Sequence, residues 1–383
     1  MRRRVYYLAE IENLSSVYKY KSSKEFNRRF MDLMNMKSET LKKFVDIFTP
    51  ILKILNVLFS LIRVIVAFVA SVYHALRVTS NKEIPKDEML FLDISIFLVS
   101  RSKASCLFDD SEYWVRSRCM KPVGDLSGKT VIICEDYLTP IDCVKALFLT
   151  LRDIIVYIFR FNCIYPVYKA FYYYCVYLSL EKIVKGNTIL FSNQCDRWAL
   201  MFDALPSKSK ILLQHGLAHP SQVYRYKLKN IDIFYSISKQ TWQVPYDVNL
   251  ACKPELRFMN PTIDIKPIEK ANFSVFLITH PIHFEFEKEI VKEVSRLNVS
   301  IYIKTHPTVR NITNYEMLCQ EYGAHLVNFF PKADYAISYY STLAFEYMAA
   351  DIPVFMYEKE KDLSITDLID DISRYKNLLK TPK

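Results

Sequence analysis

"FSVFLITHPIHFEFEKEIVKEVSRLNVSIYIKTHP", residues 273–307, holds two short apolar runs that each close on Thr-His-Pro, with a charged amphipathic run between them. The first apolar run, 273–281, is nearly continuous, the pattern of a strand covered on both faces. The run 299–307 is the second strand, and "FEKEIVKEVSRL" (286–297) has the apolar spacing of a helix. Strand, helix and strand at this spacing form a parallel pair with a helical crossover. Pro307 stops the second ladder, because proline has no N–H to donate.

Working outward, the same rhythm continues. Downstream lie the runs "AHLVNFF" (324–330) and "ADYAISYY" (333–340), the helix "STLAFEYMAA" (341–350) and the run "IPVFMY" (352–357). Upstream, "KTVIICE" (129–135), "NTILFSN" (187–193), "KILLQHG" (210–216) and "IDIFYSI" (231–237) form an earlier strand series. Between the two series, 254–270 carries Pro254, Pro261 and Pro267 and reads as a linker. The expectation is an α/β protein with two Rossmann-like doubly wound domains, at 85–255 and 270–383, behind a helical extension at 1–80. No internal repeat or low-complexity tract is seen.

Composition narrows the chemistry. The 383 residues include only 5 Gly, and neither a GxGxxG nor a Walker A pattern occurs, which removes most support for dinucleotide redox and P-loop chemistry. The formal net charge of +10 favours anionic partners. Nine Cys are scattered singly without zinc-ligand spacing and read as free thiols of a reducing compartment. The start, "MRRRVYYLAEIEN", turns polar instead of entering the apolar stretch of a signal peptide.

Two segments raise the question of a membrane. Residues 54–76 are long and apolar enough to span a bilayer, but Arg63 lies at their middle. Residues 156–180, inside an aromatic helical segment at 147–182, carry Arg160 and Lys169 and are interrupted by Pro166. Burial in the protein, a position in the membrane interface and a true span are all open readings.

In open parallel sheets, ligands bind beyond the carboxyl ends of the strands. In the second domain those positions are Thr279 and His280, then Lys304, Thr305 and His306 with Pro307, then Ser338 through Thr342, which include Tyr339 and Ser341. In the first they are Glu135 and Asp136, Asn193 to Asp196, then Gln214, His215 and Gly216. Pro307 biases His306 toward an extended conformation at the strand tip, where imidazole can donate to a phosphate oxygen beside the charge of Lys304. Ser341 or Thr342 is the expected N-cap of a helix whose first turn suits an anion. One turn later, Glu346 can accept from ribose hydroxyls. His215 can act as a general base or steady a departing phosphate, and Gly216 permits a close backbone approach. Each group also has an ordinary structural reading, as a turn residue, a cap or a solvated carboxylate. His74, His219, His283 and His325 read as structural or surface residues.

Taken together, "ILLQHG", "IYIKTHP" and "SYYSTLAFEYMAADIPV" resemble bacterial surface-polysaccharide glycosyltransferases of the GT-B fold. The likeness is strongest to capsule-synthesis proteins and weaker to bacterial sialyltransferases and polyglycerolphosphate transferases, and it spans 187–357. It implies a nucleotide-sugar donor held by the second domain, with His306 on the phosphate, Ser341 and Thr342 nearby and Glu346 on the ribose. It also implies that His215 serves the reacting centre from the first domain. Sialyltransferases place their base in a D/E-D-G element; here that element reads Glu135-Asp136-Tyr137, with tyrosine in the glycine position. No DxD motif lies at a strand end, so the expected transfer is metal-independent, without cofactor and, by analogy, inverting. The expected partners are the donor, with a CMP-sugar favoured, a glycan or glycolipid acceptor of a capsule, lipooligosaccharide or O-antigen, and the inner membrane surface. Nucleic acid is not expected as a partner. The alternatives are transfer of a polyol phosphate from a CDP donor, a nucleotide-sugar epimerase and a non-catalytic membrane- or nucleic-acid-binding protein.

Overall fold

The computed structural model describes residues 39–78, 83–92, 98–110, 112–118, 126–161, 165–193, 196–214, 224–237, 239, 242–260, 263–269, 272–280, 283–306, 309, 312–339, 341–357 and 365–380. The chain separates into two compact units. The first runs to Ser236 and takes in Gln243–Arg257; the second comprises Ile237–Trp242 and Phe258–Lys383.

The first unit is built on seven strands: β1 (Met89–Leu92), β2 (Tyr113–Arg116), β3 (Thr130–Ile133), β4 (Thr188–Phe191), β5 (Ser209–Leu213), β6 (Ile233–Ser236) and β7 (Glu255–Phe258). Their order in the sheet is β3-β2-β1-β4-β5-β6-β7, with parallel pairing from β3 through β6. The order reverses between β1 and β4, as in a doubly wound Rossmann sheet, which creates a crevice at the carboxyl ends of those strands. Among the described residues six helices accompany the sheet: α1 (Glu39–Arg77), α2 (Leu98–Ala104), α3 (Pro140–Arg160), α4 (Lys169–Ile183), α5 (Arg197–Ala204) and α6 (Gln243–Asn249). A capping box fixes the start of α3. The Thr139 hydroxyl accepts from the Asp142 N–H, the Asp142 carboxylate accepts from the Thr139 N–H, and Pro140 occupies the first turn.

The aromatic segment separates into α3 and α4, with Pro166 between them. Helix α4 is buried on nearly every side, with Phe171, Val176, Leu180 and Ile183 at most 1% exposed. The burial reading therefore holds for α4. Helix α1, the N-terminal helix, packs along α3 and α4 and delivers Val64 to the same core, so it belongs to the first unit. The first part of that extension, 1–38, lies outside the described residues.

The second unit has a five-stranded parallel sheet in the order β11-β10-β9-β13-β14. Its strands are β9 (Ser274–Ile278), β10 (Ser300–Lys304), β11 (His325–Leu326), β13 (Tyr335–Tyr339) and β14 (Val354–Tyr357). Every residue of β9 is buried, as expected of a central strand covered on both faces. Around the sheet lie α7 (Phe284–Ser295), α8 (Ile312–Tyr322), α9 (Thr342–Ala349) and α10 (Ile365–Lys380). Helix α8 ends at Gly323, whose φ of 66° is the left-handed conformation that glycine accepts at no steric cost.

Two departures from the sequence reading have simple causes. The stretch read as a linker contains β7 and also β8 (Ile265–Lys266), which pairs in parallel with β12 (Phe330–Pro331). Its prolines lie outside those strands and do not interrupt them. The single strand expected at 324–330 is split into β11 and β12, which belong to different sheets.

Candidate functional site

In the second sheet the order reverses between β9 and β13. Register aligns the strand ends, since Ile278 pairs with Lys304 on one side and with Ser338 on the other. The residues just beyond these three positions share one edge of the sheet. Thr279 is 3% exposed, and its hydroxyl accepts from the His306 N–H at 2.9 Å. The Thr279 N–H donates to the Lys304 carbonyl at 3.2 Å, so the tips of β9 and β10 are tied to each other.

Imidazoles collect at this edge. The His280 ring stacks on His283 with centroids 4.6 Å apart, and Tyr339 packs on both at 4.7 and 4.6 Å. Burial, together with His283 and His306 nearby, pushes the His280 pKa down to about 4. Burial also lowers His306. His280 is thus neutral near pH 7, and its buried Nδ1 has no hydrogen-bond partner among the described residues. A neutral imidazole can donate one hydrogen bond, and a nearby anion would favour its protonation.

Beneath the imidazoles lies Glu287, with no exposed surface. One carboxylate oxygen accepts from the His280 N–H and the Tyr357 hydroxyl, each at 2.6 Å, and the other accepts from the Tyr315 hydroxyl at 2.6 Å. Burial raises the Glu287 pKa and these bonds oppose the rise. The helix dipole adds to them, because Glu287 stands in the first turn of α7.

Across the reversal point, Ser341 is the N-cap of α9. Its hydroxyl accepts from the Ala344 N–H at 3.2 Å and lies 2.8 Å from the Ser338 hydroxyl. Thr342 opens the helix and is half-buried. Glu346, one turn on, is 3% exposed.

The structure thus brings together Thr279, His280, His306, Ser338 and Ser341 on one sheet edge. Lys304 takes another direction. Ile301 and Ile303 are the buried positions of β10, so Lys304 points to the opposite face. There its ammonium donates to the Asn328 carbonyl at 2.6 Å and lies 4.9 Å from the Phe330 ring centre. Pro307 lies outside the described residues. His283 and Glu287 were not among the sequence candidates, and His283 was read as structural or surface; Tyr339 lies within the strand-tip stretch 338–342. The usable signal was the spacing "THPIHFEFE", which places His283 and Glu287 three and seven residues beyond a strand-tip histidine at a helix start.

The first unit carries its own polar cluster at the tips of β2 and β3. Glu135 accepts from the Ser117 hydroxyl and, at 3.1–3.2 Å, from the Arg118 N–H; Tyr172 of α4 joins through Ser117. Asp136, 5% exposed, pairs with the Arg118 guanidinium and lies 3.9 Å from His74 Nε2 of α1. At the end of β4, Asn193 donates to Asp196 at 2.8 Å, and Asp196 caps α5. The Ser192 hydroxyl and Asn193 Oδ1 are buried without a partner among the described residues. Gln214 is 1% exposed, and its side-chain oxygen accepts from the Ser236 hydroxyl at 2.8 Å. His215 and Gly216 lie outside the described residues. Among the described residues no group of three His, Cys, Asp or Glu side chains has the geometry to hold a metal ion.

No protein-family model and no curated protein matches the sequence. Among solved structures, the chain is similar to a variant of the wall teichoic acid polymerase TagF soaked with CDPG. The TM-score is 0.39 and the identity 11%, covering 85% of this chain and 90% of that one. It is also similar to Acinetobacter baumannii MurG, with a TM-score of 0.33 and 10% identity, covering 76% of this chain and 82% of that one.

Proposed function

We propose that the protein is a glycosyltransferase whose second unit grips the phosphate of a nucleotide-sugar donor. The observation that carries this reading is the row of aligned strand tips. Thr279–His280, His306, Ser338 and Ser341 share the edge where the sheet order reverses, and α9 begins there. Neutral imidazoles donate to phosphate oxygens, the Ser341 turn adds N–H groups, and Glu346 is the candidate partner for the ribose hydroxyls. The order of the sequence motifs supports sugar transfer in particular.

In the reaction, the acceptor hydroxyl oxygen bonds to the anomeric carbon as the bond from that carbon to the donor phosphate breaks. The hydroxyl proton passes to a base, and the leaving phosphate keeps the electron pair. Hydrogen bonds and a rising imidazole charge stabilise that phosphate, so no metal is needed for this part of the work. A CMP-sugar is the favoured donor and a bacterial surface glycan the favoured acceptor class. The proton-accepting group is to be found among His215, Glu135 and Asp136.

The test is a screen of CMP-, CDP-, UDP- and GDP-sugars for release of free nucleotide, with a CDP-polyol included. Turnover of one sugar nucleotide, reduced by His306→Ala, is the expected result. Turnover of the CDP-polyol alone would replace sugar transfer with polyol-phosphate transfer. Turnover of none, with or without added glycan, would overturn the transferase reading.

A further inference from the structure

Most of the exposed large apolar side chains among the described residues lie on two neighbouring helices, α1 and α3. On α1 they recur at Ile51, Ile54, Leu58, Ile62, Ile65 and Val69, each at least 52% exposed. That stripe follows the helical period along one face. On α3 they include Ile141, Phe148 and Phe159, at 68%, 68% and 85%. The helices run antiparallel. Lys53 donates to the Ile158 carbonyl at 2.7 Å near one end, and His74 lies 3.9 Å from Asp136, just before α3, at the other. Both rest on the buried helix α4, as Phe68 against Phe171 and Phe59 against Tyr168 show for α1, so their outer faces form one surface. A soluble protein rarely leaves so large a contiguous apolar patch open to water.

Charge identifies what covers it. Between residues 47 and 77 there is no Asp or Glu, while Lys53, Arg63 and Arg77 are present. Helix α3 has exposed Lys145 and Arg160, and its two carboxylates, Asp142 and Asp153, are buried. Over 47–77 and α3, cations therefore rim an apolar floor with no exposed carboxylate among the described side chains, which complements an anionic lipid surface.

We infer that α1 and α3 form a platform lying flat in the headgroup–acyl boundary of an anionic bilayer. A crossing by α1 is incompatible with its packing. Its inner side holds Ser60 and Val64 in the core of the first unit, and Asn56 donates to the Tyr165 carbonyl at 2.8 Å. Arg63 would sit at mid-bilayer in a crossing helix, at a cost of ~2.5–3.5 kcal/mol or more. In a flat helix it sits at headgroup depth, over the rings of Phe59 and Tyr168 at 5.0 and 6.0 Å. The platform is independent of the transferase reading, because it is derived from other residues.

The experiment is flotation of the full chain with vesicles of phosphatidylcholine, with and without phosphatidylglycerol. Wild type should float with the anionic vesicles, less so in high salt. The double variant Ile62→Glu/Val69→Glu should lose at least about tenfold in partitioning, with its melting temperature and nucleotide titration unchanged because both sites are exposed. A Leu58→Trp probe should be quenched by bromines near the lipid carbonyls more than by bromines at the chain ends. No flotation of the full chain would overturn the inference; size measurement and deletion of 1–38 would then show whether a second copy or that segment covers the face. Undiminished flotation of the double variant, or strongest quenching from the chain ends, would overturn it as well.

Discussion

The Glu287 carboxylate accepts a hydrogen bond from the backbone N–H of His280 at 2.6 Å, so one buried acid of α7 fixes the tip of β9. The same carboxylate holds the hydroxyls of Tyr315 and Tyr357. The chain leaving β9 is thereby pinned where the imidazoles gather.

Replacing Glu287 should loosen that tip. Glu287→Ala strands three buried donors, each worth ~1–3 kcal/mol when left unmet. Denaturant unfolding should show a loss of several kcal/mol. Glu287→Gln, which keeps the shape but turns an NH2 group toward donors, should lose less. A change under ~0.5 kcal/mol in both would mean that these hydroxyls find other partners.

The depressed histidines make nucleotide binding pH-dependent. Burial pushes His280 down to about 4 and lowers His306 too. A bound phosphate diester raises both values, so the complex holds more protons than the free protein. Affinity should therefore increase as pH falls from 7 toward 5, a range in which a diester does not itself titrate. Without nucleotide added, the contribution of His280 to stability is present above its unfolded value near 6.5 and is lost as pH falls toward 4. Titration calorimetry across that range checks the sign; affinity that weakens on acidification would refute it.

Ser341→Ala removes the cap of α9 and the contact with Ser338. The expected cost is ~0.5–2 kcal/mol of stability together with weaker nucleotide binding, whereas Ser341→Asp should keep the cap but repel phosphate. Thermal unfolding with and without nucleotide separates the two effects. Equal nucleotide shifts in all three proteins would remove Ser341 from the site.

Away from that site, Asp153 is fully buried, and burial pushes its pKa up to about 6 despite the bond from Tyr174 at 2.6 Å. Raised above its unfolded value, it contributes stability below pH ~4 that is lost as pH rises through 6. Asp153→Asn should thus stabilise the protein at pH 8, on the order of 1–3 kcal/mol, and do little at pH 4. Melting curves at the two pH values decide this, and a loss at pH 8 would show that the charged form is well accommodated.

The central strands could be read because burial on both faces leaves a continuous apolar signature, as in β9 and β5. Strands β1 (MLFL) and β2 (YWVR) were not read, and length is not the reason, because β3, β4 and β6 are equally short. For the candidate site, the strand-tip rule named Thr279, His280, His306 and Ser341 without any knowledge of register, and register brings them to one sheet edge. It could not find Glu287, which looks like one more surface acid in "FEFEKE" until α7 folds back over β9. It also could not orient Lys304, whose direction is set by strand alternation and by the carbonyl of Asn328. The fate of 54–76 was undecidable from hydropathy alone, since a half-docked helix and a spanning helix share the same composition.

The most direct measurement is calorimetric titration of wild type and of His280→Ala/His306→Ala with CMP, CDP and UDP. Wild type should bind one nucleotide selectively, and the double variant, still folded by circular dichroism, should bind it at least about tenfold more weakly. Equal affinity in the two proteins, or no binding of any nucleotide by wild type, would contradict a donor-phosphate site at these strand tips.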